Sequence, residues 1–243
     1  LDYNFAANVS HNIRNNMRIV GGLNLRVNRT WYYDEVKDLM GGDYWYDIDK
    51  FAERDMSQNA MNFQNDLDYF MATGHARVVR EGEKYSYNYR AHLLEGNAWA
   101  LYTWGIGGFS MGIGGEAGYS SMYREGLWRK GLFPNNSKGD SKKLDYFVYN
   151  VKGNFGYKFS GAHSIEANVA YMENAPKFAA AFVSPRTRNT TTPGLTTEKV
   201  FGVDLTYNLN LPYIKARLSG YYTTISDQSK VISFYDDLQR SFT

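Results

Sequence analysis

The sequence predicts an all-β protein, an antiparallel transmembrane β-barrel contributing about eight strands. Three observations predict it. From Leu1 to Tyr222, apolar residues recur at every second position with polar or very small residues between them, which is the side-chain period of a strand. The connections between these segments alternate short and long, as they do in bacterial transmembrane barrels. The composition is rich in tyrosine (21) and glycine (23) with a mean hydropathy of -0.52, as expected when only every second residue meets lipid.

The remaining composition narrows the class further. No run of about 18 apolar residues occurs, so no transmembrane helix is expected. Charges nearly cancel, with 27 basic and 25 acidic residues, and no basic stripe stands out, so nucleic acid is not an expected partner. The chain has no cysteine, which removes disulfides and thiolate chemistry. It opens inside an alternating segment, so a piece of a longer protein, or a mature chain whose start is not included, is expected.

The first strand runs from about Leu1 to Ser10, with Leu1, Tyr3, Phe5, Ala7 and Val9 on one face, and turns at 11–16. The second runs from Met17 to Tyr33 and is the clearest: Leu23, Leu25 and Val27 oppose Asn24, Arg26 and Asn28. A long polar connection covers 34–83. The third strand runs from Tyr85 to Trp104. Its first half places Tyr85, Tyr87, Tyr89, Ala91 and Leu93 outward, and its second half Gly96, Ala98, Ala100, Tyr102 and Trp104. That change of parity near Leu93 to Glu95 predicts a β-bulge.

Gly105-Ile106-Gly107-Gly108 is a tight turn. The fourth strand sets Phe109, Met111, Ile113, Ala117 and Tyr119 against Ser110, Gly112, Gly114, Glu116 and Gly118. A second long connection follows at 124–143. The fifth strand sets Phe147, Tyr149, Val151, Phe155, Tyr157 and Phe159 against Asn150, Lys152, Asn154 and Lys158, and turns at 160–163. The sixth carries Ile165, Ala167, Val169 and Tyr171 outward. After a third long connection at 174–199, the seventh sets Phe201, Val203, Leu205, Tyr207 and Leu209 against Asp204, Thr206 and Asn208. Leu211-Pro212-Tyr213 turns it into the eighth, with Ile214, Ala216, Leu218, Gly220 and Tyr222 opposite Lys215, Arg217, Ser219 and Tyr221.

No residue assigned outward is charged. The opposite face holds Arg26, Arg90, Glu116, Lys152, Glu166, Asp204, Lys215 and Arg217. A charge on a lipid-facing position costs about 2–4 kcal/mol at the membrane midplane. A soluble sandwich also keeps one face apolar, but its strands average about 5–6 residues, shorter than these. Tyrosines and tryptophan gather toward strand ends (Tyr85, Tyr87 and Tyr89; Trp31 and Tyr32; Tyr221 and Tyr222), the pattern of an interfacial girdle.

Candidate sites are few. The loop from Gly41 to Asp55 carries Asp43, Asp47, Asp49, Glu53 and Asp55, but their spacing departs from an EF-hand loop. They read as a solvated loop, and no metal or cofactor is expected. Within that loop Tyr44, Trp45 and Tyr46 are the candidate ligand-binding residues, since exposed aromatics stack on sugars and peptides alike. His11, His75, His92 and His163 are scattered, with His92 assigned inward, and none has metal-ligand or triad spacing. No catalytic residue is expected: Glu116, Glu166 and Asp204 read as the lining of a wet interior. Gly112, Gly114, Gly115 and Gly118 lie inside a strand, so they are no phosphate loop. Small inward residues there leave room for whatever fills the lumen.

Several stretches resemble the barrel region of TonB-dependent outer-membrane receptors, especially those of Bacteroidota. They are Asp38 to Trp45 continuing through Asp49 to Asp55, Glu81 to Tyr89, Met122 to Gly126 with Asn136 to Gly139, Ala175-Pro176 with Phe182 to Arg186, and Leu195 to Phe201 leading into Asp204 to Tyr207. The resemblance implies a 22-stranded barrel with an N-terminal plug, in the outer membrane of a Gram-negative bacterium. Such receptors import scarce nutrients with energy passed on by TonB. The residues 1–243 would then be a middle section of that barrel, with neither plug nor closing strands, ending in the next external loop near Ser241, Phe242 and Thr243.

The partners so implied are the TonB complex through the missing plug, the lipid bilayer, a nutrient ligand (glycan, peptide or metal chelate) and a surface lipoprotein lid. The loops 34–83 and 174–199 are expected to meet ligand or lid. The rival is a small self-contained outer-membrane barrel acting as a passive pore or adhesin, whose first and eighth strands would have to pair. A barrel enzyme would need a clustered acid, base and nucleophile at one rim, and a soluble β-sandwich would need to fold without detergent.

Overall fold

The alternating segments form one continuous antiparallel sheet. The computed structural model describes residues 1–56, 58–229, 235–236 and 241–242. In chain order the elements are β1 (Asp2–Arg14), β2 (Met17–Glu35), β3 (Trp45–Tyr46), α1 (Lys50–Met56), α2 (Leu67–Thr73), β4 (Val78–Val79), β5 (Lys84–Ile106), β6 (Phe109–Gly126), β7 (Gly139–Asp140), β8 (Leu144–Lys158), β9 (His163–Asn174), α3 (Phe178–Ala181), β10 (Glu198–Asn210), β11 (Lys215–Ser226), β12 (Tyr235–Asp236) and β13 (Ser241–Phe242). The long strands pair in the order β1-β2-β5-β6-β8-β9-β10-β11. Every long strand therefore neighbours the next long strand in the chain, as up-and-down barrel walls require.

Among the described residues β1 and β11 do not pair with each other, so the eight strands form an open section. The pairing that a self-contained eight-stranded barrel needs is not made. Among the described residues β12 and β13 pair only with each other, and Thr243 lies outside the described residues.

Register keeps one face apolar from strand to strand. Leu23 opposes both Ala7 and Ala98, and Leu25 opposes Phe5 and Gly96. Farther along, Ile113 opposes Tyr102, Val169 opposes Val203, and Leu205 opposes Gly220. The leucines among them are exposed: Leu23 is 56% accessible and Leu205 57%. No second sheet covers them among the described residues, which separates this wall from a soluble sandwich. The opposite face is polar and concave. Asn4, Asn24, Arg26, Glu95, Asn97 and Glu116 line one open groove of about 520 Å³ on it. Arg26 bridges Asp2 at 3.2 Å and Glu95 at 3.6 Å, and the Asn24 amide donates to Asn97 at 2.7 Å.

The inward glycines serve this polar layer. A Cβ on Gly112 would overlap the Asn154 carboxamide, and one on Gly22 would overlap the Asn8 side chain and the Trp99 ring. The space expected to be free for a lumen occupant is thus taken here by large neighbours across the strand.

Four expectations are corrected. The first strand does not stop at Ser10: it continues to Arg14 and turns over Asn15-Asn16 alone, so His11 lies in the strand opposite Ile19. There is no bulge at Leu93 to Glu95, because β5 pairs without a break with β6 from Tyr89 to Ile106. The irregularity between β2 and β5 falls instead at Ser86 and Tyr87, between the pairs Tyr33↔Asn88 and Asp34↔Tyr85. Ser86 there has φ of 62°, a left-handed conformation that a side-chain-bearing residue enters only where tertiary contacts hold it.

The third correction follows. With no bulge at 93–95, Tyr87, Tyr89, Ala91 and Leu93 lie on the concave side, and Arg90 and His92 on the outer one. The change of parity records a change of surroundings: along the barrel band the outer face is apolar, and beyond it the inner face is apolar because loops pack there. Met122, Ala181 and Phe182 form that loop core, with Leu93, Leu144, Tyr146, Phe178 and Leu195 against it.

The fourth concerns charge. The outer face does carry charges, but past the apolar band: Glu125 accepts from His92 Nε2 at 2.8 Å and pairs with Arg90 at 3.3 Å and Arg29 at 3.4 Å. At that level a charge avoids the cost it meets at the bilayer centre.

The short turns gather at one end of the sheet and the long connections at the other. The long connections also hold structure that a polar-loop reading misses. Asp49 Oδ1 accepts the Phe51 and Ala52 N–H groups at the start of α1, each at 3.1 Å. Asp66 caps α2 through the Tyr69 N–H, and Gly74 ends it at φ of 74°, where glycine carries no Cβ penalty.

Candidate functional site

The three long connections converge over the end of the concave face, and three side-chain groups organise them. The first is the sequence-predicted trio. Trp45 and Tyr46 form β3, paired with Val78 and Val79 of β4. Tyr44, Trp45 and Tyr46 are 48%, 49% and 48% accessible. The Tyr44 and Tyr46 rings meet edge to face at 5.4 Å, so they share one face of the ribbon. Strand alternation places Trp45 on the other, where the Lys50 ammonium lies 6.0 Å from its ring. The trio therefore offers two aromatic surfaces rather than one platform.

The second group is a buried polar node that sequence reasoning did not single out. Asp47 is buried and accepts the Ser86 N–H at 2.8 Å, the Asn65 amide at 2.9 Å and Arg77 Nη1 at 3.1 Å. Lys130, also buried, donates to Asn65 Oδ1 at 2.9 Å and to the Ser86 carbonyl. Burial pushes the Asp47 carboxyl up, against the donors that favour its ionised form. Burial pushes the Lys130 ammonium down to about 8, against the pull of Asp47 and Asp49. Charges held this far from water are tolerated only because Asp47 has Arg77, Asn65 and Ser86 as partners and Lys130 has Asn65 and Ser86. This node fixes Ser86 in its left-handed conformation and joins the first long connection to the second and to β5.

Three of the five loop carboxylates are thereby accounted for. Asp47 serves the node, Asp49 caps α1, and Glu53 pairs with Lys50 at 3.1 Å. Asp68 joins the same two connections from outside, accepting from Lys138 at 2.6 Å and Arg129 at 3.4 Å. Hydrogen bonding from Lys138, with Arg129 adding to it, holds its carboxyl below the ordinary range. Among the described residues no three metal-ligating side chains come together.

The third group centres on Arg124, 1% accessible. Its Nε donates to the Pro185 carbonyl at 2.6 Å, and its Nη1 donates to the Ser137 carbonyl at 2.9 Å and to the Asn189 carboxamide. Its guanidinium lies 5.1 Å from the Tyr89 ring. Arg124 thus ties the second and third long connections to β6. No sequence signal marked it: Arg124 joins two basic connections, and its partners are carbonyls and a carboxamide rather than carboxylates.

The histidines stay apart. His92 stacks on Tyr123 at 4.4 Å and binds Glu125, and His163 Nδ1 lies 2.5 Å from the Tyr207 hydroxyl. His92 is on the outer face, not the inner one.

The fold and loops define a class of structure: a transmembrane-type antiparallel barrel wall whose concave side is polar and roofed by ordered loops. Solved transporters have the same architecture. The chain is similar to the copper transporter OprC, at 14% identity and TM-score 0.60, over 93% of this chain and 30% of that one. It is also similar to the FrpB iron transporter from Neisseria meningitidis (F5-1 variant), at 14% identity and TM-score 0.53, over 93% of this chain and 28% of that one. At such identity the likeness is one of fold. The chain spans less than a third of either transporter's length. No family model matches the chain, and no curated relative matches it.

Proposed function

We propose that this chain is part of the barrel wall and ligand-binding loops of a TonB-dependent outer-membrane receptor, non-catalytic, that imports a nutrient. The observation that carries the reading is the pairing of an exposed apolar outer band with a polar, loop-roofed concave face in strands of 12 to 23 residues. The likeness in fold to two transporters over 93% of the chain supports it. In this reading 1–243 is a middle section of a barrel of about 22 strands, a size that carries a lumen plug, and the receptor is of the Bacteroidota kind. The connections at about 34–83, 124–143 and 174–199 face the outside, TonB acts through a plug elsewhere in the protein, and a surface lipoprotein closes over the loops. Tyr44, Trp45 and Tyr46 contact the ligand. Of the three cargo classes, glycan, peptide and metal chelate, the names of the two transporters favour the last.

The test is to follow the protein in outer-membrane fractions on gels with and without boiling, then to measure accumulation of radiolabelled iron and copper salts, maltohexaose and a tripeptide with and without TonB. A heat-modifiable band near 100 kDa and TonB-dependent accumulation of one probe are expected. A heat-modifiable band near the chain's own 27.8 kDa would favour a small self-contained pore or adhesin instead. A band in the soluble fraction would end the membrane reading.

A further inference from the structure

We infer that Arg186, lying over Tyr87 and backed by buried Arg124, forms a binding subsite for the anionic part of a small ligand, a carboxylate or phosphate group attached to a flat or unsaturated body. The inference rests on the import reading above and narrows its cargo to a chemical class.

The site is built from the sheet outward. On the concave side at the loop end, Tyr32 stacks on Tyr89 at 5.0 Å with planes 13° apart, and Tyr87 lies 5.9 Å from Tyr89. Phe178 of α3 continues the row at 6.5 Å from Tyr89, again nearly parallel. The Arg186 guanidinium lies 4.9 Å from the Tyr87 ring, and that of Arg124 lies 5.1 Å from Tyr89. Arg186 is exposed while Arg124 is buried.

Two features direct this row toward an anion. Among the described residues neither arginine has a carboxylate partner: Arg124 is satisfied by carbonyls and a carboxamide, and Arg186 rests on a ring. Asp34 is close by, but it accepts from the Tyr87 hydroxyl. The segment that presents Arg186 also carries Lys177 and Arg188 and no acid from Ala175 to Thr197. A buried cation without a counter-ion keeps its field in the low-dielectric roof, and an exposed guanidinium is a fork for carboxylate or phosphate oxygens. Placement is also supplied: Arg124 holds the Pro185 carbonyl, one residue before Arg186, so the exposed arginine is set over Tyr87 by the buried one. A ring face beside such a fork takes a planar ligand body.

The experiment uses the complete purified receptor in neutral phosphatidylcholine nanodiscs, with phthalate, citrate, inorganic phosphate and maltohexaose as probes in calorimetric titrations. Variants are R186Q, R186K and Y87L. Arg124 is left intact, since its loss would disorder the roof. Expected is binding of at least one anionic probe, weakened tenfold or more by R186Q, partly restored by R186K, and weakened with rising salt. Y87L is expected to affect phthalate more than phosphate. Binding that R186Q leaves unchanged, or absence of binding by all three anions, overturns the subsite. TonB-dependent accumulation of an anionic probe that R186Q leaves unchanged overturns it while leaving the import reading standing. Loss of accumulation in wild-type cells strikes the import reading alone.

Discussion

Asp47 and Lys130 hold opposite ends of the same residue: the carboxylate accepts the Ser86 N–H at 2.8 Å, and the ammonium donates to the Ser86 carbonyl. The two come from different long connections, and Ser86 belongs to the sheet. D47N breaks the ion pair with Arg77 at 3.1 Å, and K130M leaves the Ser86 carbonyl and Asn65 Oδ1 without their donor; a buried polar group left unpaired costs about 1–3 kcal/mol. D47N and K130M are therefore expected to loosen the roof while leaving the strands paired. Hydrogen exchange should show lost protection at 44–86 and 127–140 with unchanged protection in β8 to β11. Equal exchange in variant and parent would remove the node from the roof's support.

The same node sets a pH dependence. Lys130 has a folded pKa of about 8, below the 10.5 of a free lysine. Between these values the opened loop binds more protons than the closed one, so closure strengthens as pH rises, by about 1.4 kcal/mol per unit. As pH falls through 8 that gain is lost. The neutral amine still donates to Ser86 and Asn65. Roof-opening free energies from exchange at pH 7.5, 9 and 10 should rise in the parent and stay flat in K130M. A flat profile in both would contradict the burial of this lysine.

A third prediction separates the two faces of β2. Leu23 is on the outer apolar band and Asn24 on the polar side. L23R should destabilise the receptor in bilayers by about 2–4 kcal/mol, and N24R by much less. Urea unfolding in lipid vesicles measures both. Equal effects would remove the assignment of faces.

A fourth concerns the aromatic ribbon. Tyr44 and Tyr46 share a face that Trp45 does not. Each is about half exposed, so alanine there should leave the fold intact. If the ribbon contacts ligand, Y44A and Y46A should lower uptake by similar factors, and W45A should differ from both. Unchanged uptake in all three would remove the ribbon from the binding surface and leave the Arg186 platform as the candidate.

Much of the wall was legible in the sequence. From Ile19 to Val27 and from Gly96 to Trp104, alternation named the outward residues that the register later matched in pairs. What was not legible lay at the loop end of the same strands. Tyr87, Tyr89, Ala91 and Leu93 alternate as cleanly as Leu23, Leu25 and Val27, yet they face the other way. Alternation states that two faces differ, not which neighbour covers each. The true irregularity, at Ser86, has no mark in the sequence because a serine enters a left-handed conformation only when held by others.

The sequence by itself determined the strands, their order and the apolar band, because a period of two is written in each segment and short turns oblige successive strands to pair. Only the tertiary structure decided where the apolar surface changes sides, how the acidic first connection meets the basic second and third, and that Asp47, Lys130 and Arg124 are buried among them. Those outcomes depend on contacts between residues tens of positions apart, which no local pattern encodes.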